Sequence, residues 1–448
     1  MEILGFIGII LGIITIIWLS IKEVHITIAA PIAALVVILF NGMQIAPSMI
    51  GMAPEVKSSF MIALGTYVMK YFIIFMLGSI LAKFMEDSGA TTAIADYILK
   101  KFGSDNPYRV MVAIFIISAI LTYGGITLFV VMFAIIPLAY TLFKKLNIAW
   151  NLIAVPLWMG IASFTMTILP GTPAIQNVIP IEYLGTSLVA AAIPSFIGAI
   201  GTIAFSLWYM KHLLNKSLKA GETFASYPID VKIVEKEGET PNVAASIAPL
   251  ATLIVIAILG SYLGNKFWKE DIIYVALVVG ILLAAVLYRK YLSNITRTLS
   301  IGASGAMAPI FATSSAVAFG AVVLLAPGFS LISKAILGIP GSPLISLTLL
   351  TSAMSAITGS SSGALGIVMP GFAHHYLATG LNPQMIHRVA AIASNITTIV
   401  PQSGVWLTFL ALTGLKTKNS FRQTFTAISI GCIIALVVVI GLGSIMYK

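Results

Sequence analysis

Two stretches of this chain carry the groups best suited to holding a solute. IASFTMTILP (161–170) and IASNITTIVP (392–401) agree at six of ten positions, and each leads an apolar helix into a proline. The segments that follow, LPGTPAIQN (169–177) and VPQSGVW (400–406), read as helix breaks. Pro170, Pro173 and Pro401 remove amide donors, and Gly171 favours a departure from the helix. Carbonyls and amides freed at bilayer depth are costly unless they face a cavity, another helix or a bound solute. Thr165, Thr167, Thr172, Gln176 and Asn177 flank the first break, and Asn395, Thr397, Thr398, Gln402 and Ser403 the second. All are neutral hydrogen-bonding groups. Broken helices of this kind offer positive N-terminal ends to anions and bare carbonyls to small cations. A simple proline kink is the plainer alternative.

Two further clusters sit at TYGGIT (122–127) and TGSSSG (358–363). Their candidate binding residues are Thr122, Tyr123, Gly124, Gly125 and Thr127 in one, and Thr358, Gly359, Ser360, Ser361 and Ser362 in the other. The flanking apolar arms, 108–122, 127–143, 343–358 and 364–379, run about 15–17 residues, or ~22–26 Å as helix. That is short of a ~30 Å hydrocarbon core. Each pair therefore reads as a re-entrant hairpin with its tip near mid-membrane. Close helix packing is the bland explanation of the small residues. GSSSG also matches the G-x-S-x-G nucleophile elbow, with His374 and His375 downstream, but that motif needs a strand-to-helix turn and no strand is expected here. Those two histidines are expected near the outer mouth, and His25 and His212 at the interface. Lys70, Glu86 and Asp87 read as snorkelling or pathway residues.

These groups need spanning elements to position them, and composition supplies them. Hydrophobic residues make up 59 % of the chain and charged residues 9 %, against roughly 25 % charged in soluble domains. The expected fold is an all-α polytopic membrane protein with ten spans, near 3–20, 26–41, 60–82, 149–168, 188–210, 245–264, 272–289, 300–326, 385–414 and 423–446. Segment 90–102 is amphipathic and reads as interfacial. The net charge of +10 comes from Lys and Arg in loops, with no basic groove, so no nucleic-acid partner is expected. The lone Cys432 excludes an internal disulfide and implies no metal framework.

Sliding the chain by 236 positions pairs Ser79 with Ser315, Ala82 with Ala318, Pro107 with Pro343 and Thr122 with Thr358. The expected domains are an N-terminal repeat, 1–210, with hairpin 108–143 and broken helix 149–187; a cytoplasmic linker, 211–244; and a C-terminal repeat, 245–448, with hairpin 343–379 and broken helix 385–414. Five spans per repeat make the second copy inverted. With the linker inside, 18 of 25 Lys and Arg fall on the cytoplasmic side, and hairpin 343–379 has none, as the positive-inside bias requires. Arg388 is counted with the outer side.

The segments LGSILAKFMEDSGATTAIADYILKKFG, LTYGGITLFVVMFAIIPLA and FTMTILPGTPAIQNVIP resemble the gluconate permease (GntP) family of the ion transporter superfamily. The resemblance covers nearly the whole chain, weakly in 211–244. It implies a homodimer whose scaffold supports an elevator-like mobile domain of hairpins and broken helices. It also implies uptake of small hydroxylated organic acids, usually with protons. Sugar-acid members carry a His- and Pro-rich stretch where this chain has LPGTP, which favours a shorter acid such as 3-hydroxybutyrate.

The expected function is thus a secondary active symporter in the cytoplasmic membrane, not an enzyme, and without a cofactor. Its cargo is a small hydroxylated monocarboxylate: 3-hydroxybutyrate, lactate or gluconate. No Lys or Arg lies in either tip or break, so one carboxylate must rest on helix N-termini and neutral donors. The coupling ion is H+ or Na+; sodium suits the carbonyls and hydroxyls, protons suit the family. Alternatives are a di- or tricarboxylate symporter of the same superfamily, or a passive organic-anion channel.

Overall fold

The computed structural model describes residues 2–22, 24–51, 58–102, 106–123, 128–172, 174–229, 239–263 and 266–447. Among these the chain is helical throughout its ordered elements, with no strand. The first half contains α1 (Glu2–Ile21), α2 (Ile26–Phe40), α3 (Ile45–Ile50), α4 (Phe60–Ser88), α5 (Ala90–Phe102), α6 (Pro107–Tyr123), α7 (Leu128–Lys145), α8 (Ala154–Ala162), α9 (Ile175–Leu184) and α10 (Ala192–Lys219). The second half contains α11 (Val243–Leu263), α12 (Lys266–Leu287), α13 (Ile295–Gly305), α14 (Met307–Leu325), α15 (Phe329–Leu337), α16 (Pro343–Thr358), α17 (Ser361–Ala378), α18 (Pro383–Ile396), α19 (Gly404–Thr413) and α20 (Thr417–Met446).

Five of these elements are long and apolar enough to cross a membrane alone: α1, α4, α10, the α13–α14 pair and α20. Their outward faces carry large apolar side chains, as on α1, where Ile3, Ile7, Ile14 and Trp18 are exposed. Such a stripe would be a liability in water and suits lipid. The shorter helices occupy the interior. α8 is buried at every position, and the first eleven residues of α18 after Gln384 are buried as well. A chain segment buried on all sides in a membrane protein is one that does not face lipid, which frees it to break.

The two hairpin regions and two broken helices are present as helices with interruptions. α6 and α7 pack on each other, as do α16 and α17; at 16–18 residues each is about 24–27 Å long. α8 ends at Ala162 and α9 begins at Ile175; α18 ends at Ile396 and α19 begins at Gly404. Packing between these parts is reciprocal. α6 lies on α8 as α16 lies on α18, and α7 lies on α19 as α17 lies on α9. α10 and α20 pack along each other, and Thr202 donates to Gly431 O across that contact at 2.8 Å.

Three differences from the sequence reading have local causes. α10 runs on to Lys219, nine residues into the expected linker. Leu214 and Ser217 stay buried there while the lysines face out, and Lys216 and Lys219 suit the negative C-terminal end. The linker then docks: the Phe224 amide donates to Asn147 Oδ1 at 3.1 Å, and its ring meets Tyr140 at 5.1 Å. Helix α5, read as interfacial, packs against α4, α6, α7 and α11, with Ala90, Ala93 and Ile94 buried. Span 300–326 is two helices joined at Ala306.

Candidate functional site

The interruptions converge. Gln176 at the start of α9 donates from Nε2 to Ser361 Oγ at the start of α17, 2.9 Å away and 185 residues along the chain. Around that contact is a small cavity of about 50 Å³ lined by Thr167, Gln176, Ser360, Ser361, Ser362, Asn395 and Thr398, together with Tyr67, Trp158, Thr313 and apolar side chains. Six helix ends meet there among the described residues. α7, α9, α17 and α19 begin beside it, contributing Leu128, Gln176, Ser360–Ser362 and Val405; α8 and α18 end beside it, contributing Ala162 and Asn395.

This geometry has an electrostatic consequence. Helix N-termini carry unpaired N–H groups and a partial positive charge, so four of them bordering one space form an anion-favouring site without a cationic side chain. Among the described residues no Lys or Arg lines the cavity. The two C-terminal ends are partly capped: Asn395 Nδ2 donates to Ala162 O, the last carbonyl of α8. At α17, Ser360 caps by accepting from the Gly363 amide at 3.2 Å. At α19, Ser403 Oγ instead donates to Gly359 O at 2.7 Å, leaving that N-terminus without a side-chain cap. Two lining residues also carry buried polar atoms with no partner, Trp158 Nε1 and Gln176 Oε1.

The remaining expected residues serve the scaffold of this site. Thr122 Oγ1 donates within hydrogen-bond reach of Gly160 O and meets Thr165 Oγ1 at 2.7 Å. Tyr123 donates to Pro170 O at 3.0 Å, so the end of α6 is fastened to the first break. Thr172 accepts from the Ala174 amide. Gln402 donates to Ala356 O and Thr397 to Ser352 O, which fastens α16 to the second break. Thr358 bonds Met354 O and Ser360 O within its own turn. Gly359 has φ +58°, and a Cβ there would lie 2.8 Å from Ser403 Cα, so glycine is required at that turn. Gly171 adopts φ 90° in the first break. Gly124, Gly125 and Thr127 lie outside the described residues. GSSSG falls on a helix-to-helix turn, so the strand that a nucleophile elbow needs is missing at this position.

Sequence reasoning missed the most polar part of α18. Arg388 is fully buried; its Nε and Nη2 donate to Ala190 O and its Nη1 to Thr167 O at 2.9 Å. No carboxylate pairs with it among the described residues. Its neighbour His387 is also fully buried and bonds Asn177 Oδ1 through Nε2 at 2.9 Å and Thr186 Oγ1 through Nδ1 at 2.7 Å. Counting Arg388 as an outer-side charge hid this. The available signal was two adjacent ionisable residues inside an apolar span, which is itself a functional flag. His374 and His375 are exposed, His25 caps α2 through Thr27, and His212 stacks on Trp208. Glu86 and Asp87 pair with Lys83, and Asp87 also accepts from Thr298.

A second cavity, about 480 Å³, is larger and mostly apolar. It lies between the α1–α2 turn, α13–α14 and α19, with Ser20, His25, Ala312, Thr408 and Lys416 on its walls. α19 runs from one cavity to the other.

A multi-span helical bundle with interrupted helices meeting at an interior cavity has the architecture of a membrane transporter. The chain belongs to the GntP family of permeases, whose model it matches over residues 4–446. It is 30 % identical to the uncharacterized transporter YxjC of Bacillus subtilis (strain 168), over 92 % of this chain and 94 % of that one. Its fold resembles the Alcanivorax borkumensis YdaH transporter (TM-score 0.51, 15 % identity, 94 % of this chain and 98 % of that one). It also resembles Neisseria gonorrhoeae MtrF, described among antimetabolite efflux pumps (TM-score 0.50, 14 % identity, 86 % and 84 %).

Proposed function

We propose that the protein is a symporter of the cytoplasmic membrane that imports a small hydroxylated monocarboxylate, such as 3-hydroxybutyrate, lactate or gluconate, together with H+ or Na+. The observation that carries this reading is the convergence of four helix N-termini on a cavity that has no cationic side chain among the described residues. That arrangement favours one negative charge; a second would be desolvated with nothing to offset it. The unpaired Trp158 N–H suits a carboxylate oxygen, and the unpaired Gln176 carbonyl suits a hydroxyl donor. The cavity is far below the ~300–1,000 Å³ of drug-sized sites, which favours three- and four-carbon acids over gluconate.

The reading includes movement. Two inverted repeats, supported by the reciprocal packing and the Lys/Arg asymmetry, would place the cavity between mobile hairpins and a scaffold built of the long spans, working as an elevator within a homodimer. The 480 Å³ cavity at the Lys416 end then serves as the inner vestibule. A carrier differs from a channel in counterflow, so proteoliposomes loaded with unlabelled 3-hydroxybutyrate should accelerate entry of labelled 3-hydroxybutyrate. Lactate should compete, and butyrate, propionate, succinate and citrate should compete less. Entry that ignores internal substrate would indicate a channel, and stronger competition by succinate or citrate a di- or tricarboxylate carrier.

A further inference from the structure

We propose that His387 is the proton-binding site that couples H+ to substrate entry, loading at Nδ1 from the side of the membrane opposite the 211–229 segment. This rests on the symport reading above and selects the proton over sodium.

Asn177 sets the protonation pattern of the His387 ring. Its Nδ2 donates to two backbone carbonyls, Thr172 O at 2.8 Å and Leu188 O at 2.9 Å. Both amide hydrogens are thereby used, and Oδ1 is left as an acceptor only. The His387 Nε2 that meets Oδ1 at 2.9 Å must therefore carry a hydrogen. That fixes the tautomer of the neutral ring: Nδ1 is bare and accepts from the Thr186 hydroxyl at 2.7 Å. A hydroxyl is both donor and acceptor. When a proton arrives at Nδ1, the Thr186 O–H turns away and its oxygen accepts from the new N–H. The ring gains one proton and one positive charge, and neither hydrogen bond is lost. The site is built to hold His387 in either state, which a merely structural histidine does not need.

Access and linkage follow from position. Thr186 is half-buried, between the exposed Gly185 and Ser187 in the turn after α9, so Nδ1 lies one hydroxyl away from the surface. On the other side of the ring, Asn177 precedes nothing polar of its own in the cavity, but its neighbour Gln176 lines it and holds Ser361. A charged imidazolium strengthens the bond to Asn177, and so tightens the first turn of α9 against the site. Proton and carboxylate together are neutral cargo, so loading both lowers the cost of moving either through the bilayer.

The charged surroundings are few. On its own helix the facing charge is Arg388, whose guanidinium is engaged by Ala190 O and Thr167 O. Of the helices packed on α18, α9 brings Glu182 and Tyr183, both exposed. α17 brings the exposed His374 and His375 and the buried Tyr376, which meets Ser346. α20 brings Cys432, beside Asn395, and the exposed Lys418 and Arg422, with Tyr447 just past its end; α16 has no titratable group. Arg388 opposes a second positive charge at His387, and the substrate carboxylate offsets it, which makes the two loadings mutually favourable.

Two measurements test this. In proteoliposomes, labelled 3-hydroxybutyrate uptake by wild type should rise severalfold under an inward proton gradient, and the ratio with and without gradient should fall to about 1 in His387→Gln. A wild-type gradient ratio kept in His387→Gln overturns the His387 assignment alone. A wild type that shows counterflow but no gradient effect overturns proton symport, and the assignment with it. Independently of transport, the protein labelled with 15N-histidine should show one ring, absent in His387→Gln, whose Nδ1 gains a proton as the pH is lowered from about 8 to about 4 while Nε2 stays protonated. A His387 ring unchanged over that range, or one bare at Nε2, overturns the proposal even where the variant transports nothing.

Discussion

Gln176 gives the sharpest separation between a binding role and a packing role. Its Nε2 holds Ser361 and its Oε1 is buried without a partner. Replacing it by leucine keeps the volume near the cavity, removes the unpaired acceptor, and leaves Ser361 Oγ without its donor. Loss of the Ser361 bond costs about 0.5–1.5 kcal/mol, and this falls on every substrate alike. Loss of the partner for a substrate hydroxyl costs a further ~1–3 kcal/mol, and this falls only on acids that carry one. 3-Hydroxybutyrate should therefore weaken by roughly 10–2,000-fold in total, and butyrate by about 2–10-fold, so that the preference for the hydroxy acid largely disappears. Gln176→Glu should weaken both acids, since it places a negative charge beside a carboxylate. The assay is calorimetric titration of purified wild type and both variants with the two acids. Equal weakening of both acids by Gln176→Leu would refute the hydroxyl contact and leave Gln176 as a strut between α9 and α17.

Other expectations concern single contacts. Trp158→Phe keeps the ring packing on Trp406 and Phe409 but removes the unpaired N–H. It should weaken binding of 3-hydroxybutyrate and butyrate alike by about 1–3 kcal/mol, read by the same titration. Arg388→Lys keeps the charge but cannot bridge Thr167 O and Ala190 O at once, so the melting temperature in detergent should fall, by an amount corresponding to about 1–3 kcal/mol for an orphaned carbonyl. At Gly160 a Cβ would lie 2.5 Å from Ser118 Cβ and 2.7 Å from Phe115 O. Gly160→Ala must push α6 from α8 at a cost of about 1–3 kcal/mol, seen as reduced thermal stability and surface expression. With Cys432 replaced, a cysteine at Lys144 should react only from the cytoplasm and one at Gly380 only from outside; labelling of both from one side would exclude inverted repeats.

Much of the architecture was legible because the membrane restricts the answer to helices whose lengths can be counted. The short arms at 108–143 and 343–379 and the prolines at 170 and 401 fall within a few residues of the ends of α6–α9 and α16–α19. Which of the polar groups line the cavity was not legible. Thr122 and Thr167 have the same chemistry, yet one is spent on Gly160 O and Thr165 while the other faces the cavity. That division depends on helix rotation and on contacts more than 100 residues apart, such as Gln176 with Ser361. Trp158 was not singled out at all, because an indole in an apolar helix reads as core until its N–H is found without a partner. Arg388 and His387 were hidden for a related reason: charge counting treats a cation as a loop marker, and here the marker is folded inward against Thr167 O in the first break and Ala190 O before α10.

In the proposed function a small hydroxy acid occupies the space where α7, α9, α17 and α19 begin. Met166 lines that space without offering a polar contact, so a cysteine there reports occupancy. In a Cys432→Ala background, Met166→Cys should be alkylated by a small methanethiosulfonate reagent, and saturating 3-hydroxybutyrate should slow that reaction at least severalfold while succinate at the same concentration leaves it unchanged. A rate indifferent to 3-hydroxybutyrate, in protein that still takes it up, would place the substrate elsewhere and contradict the account.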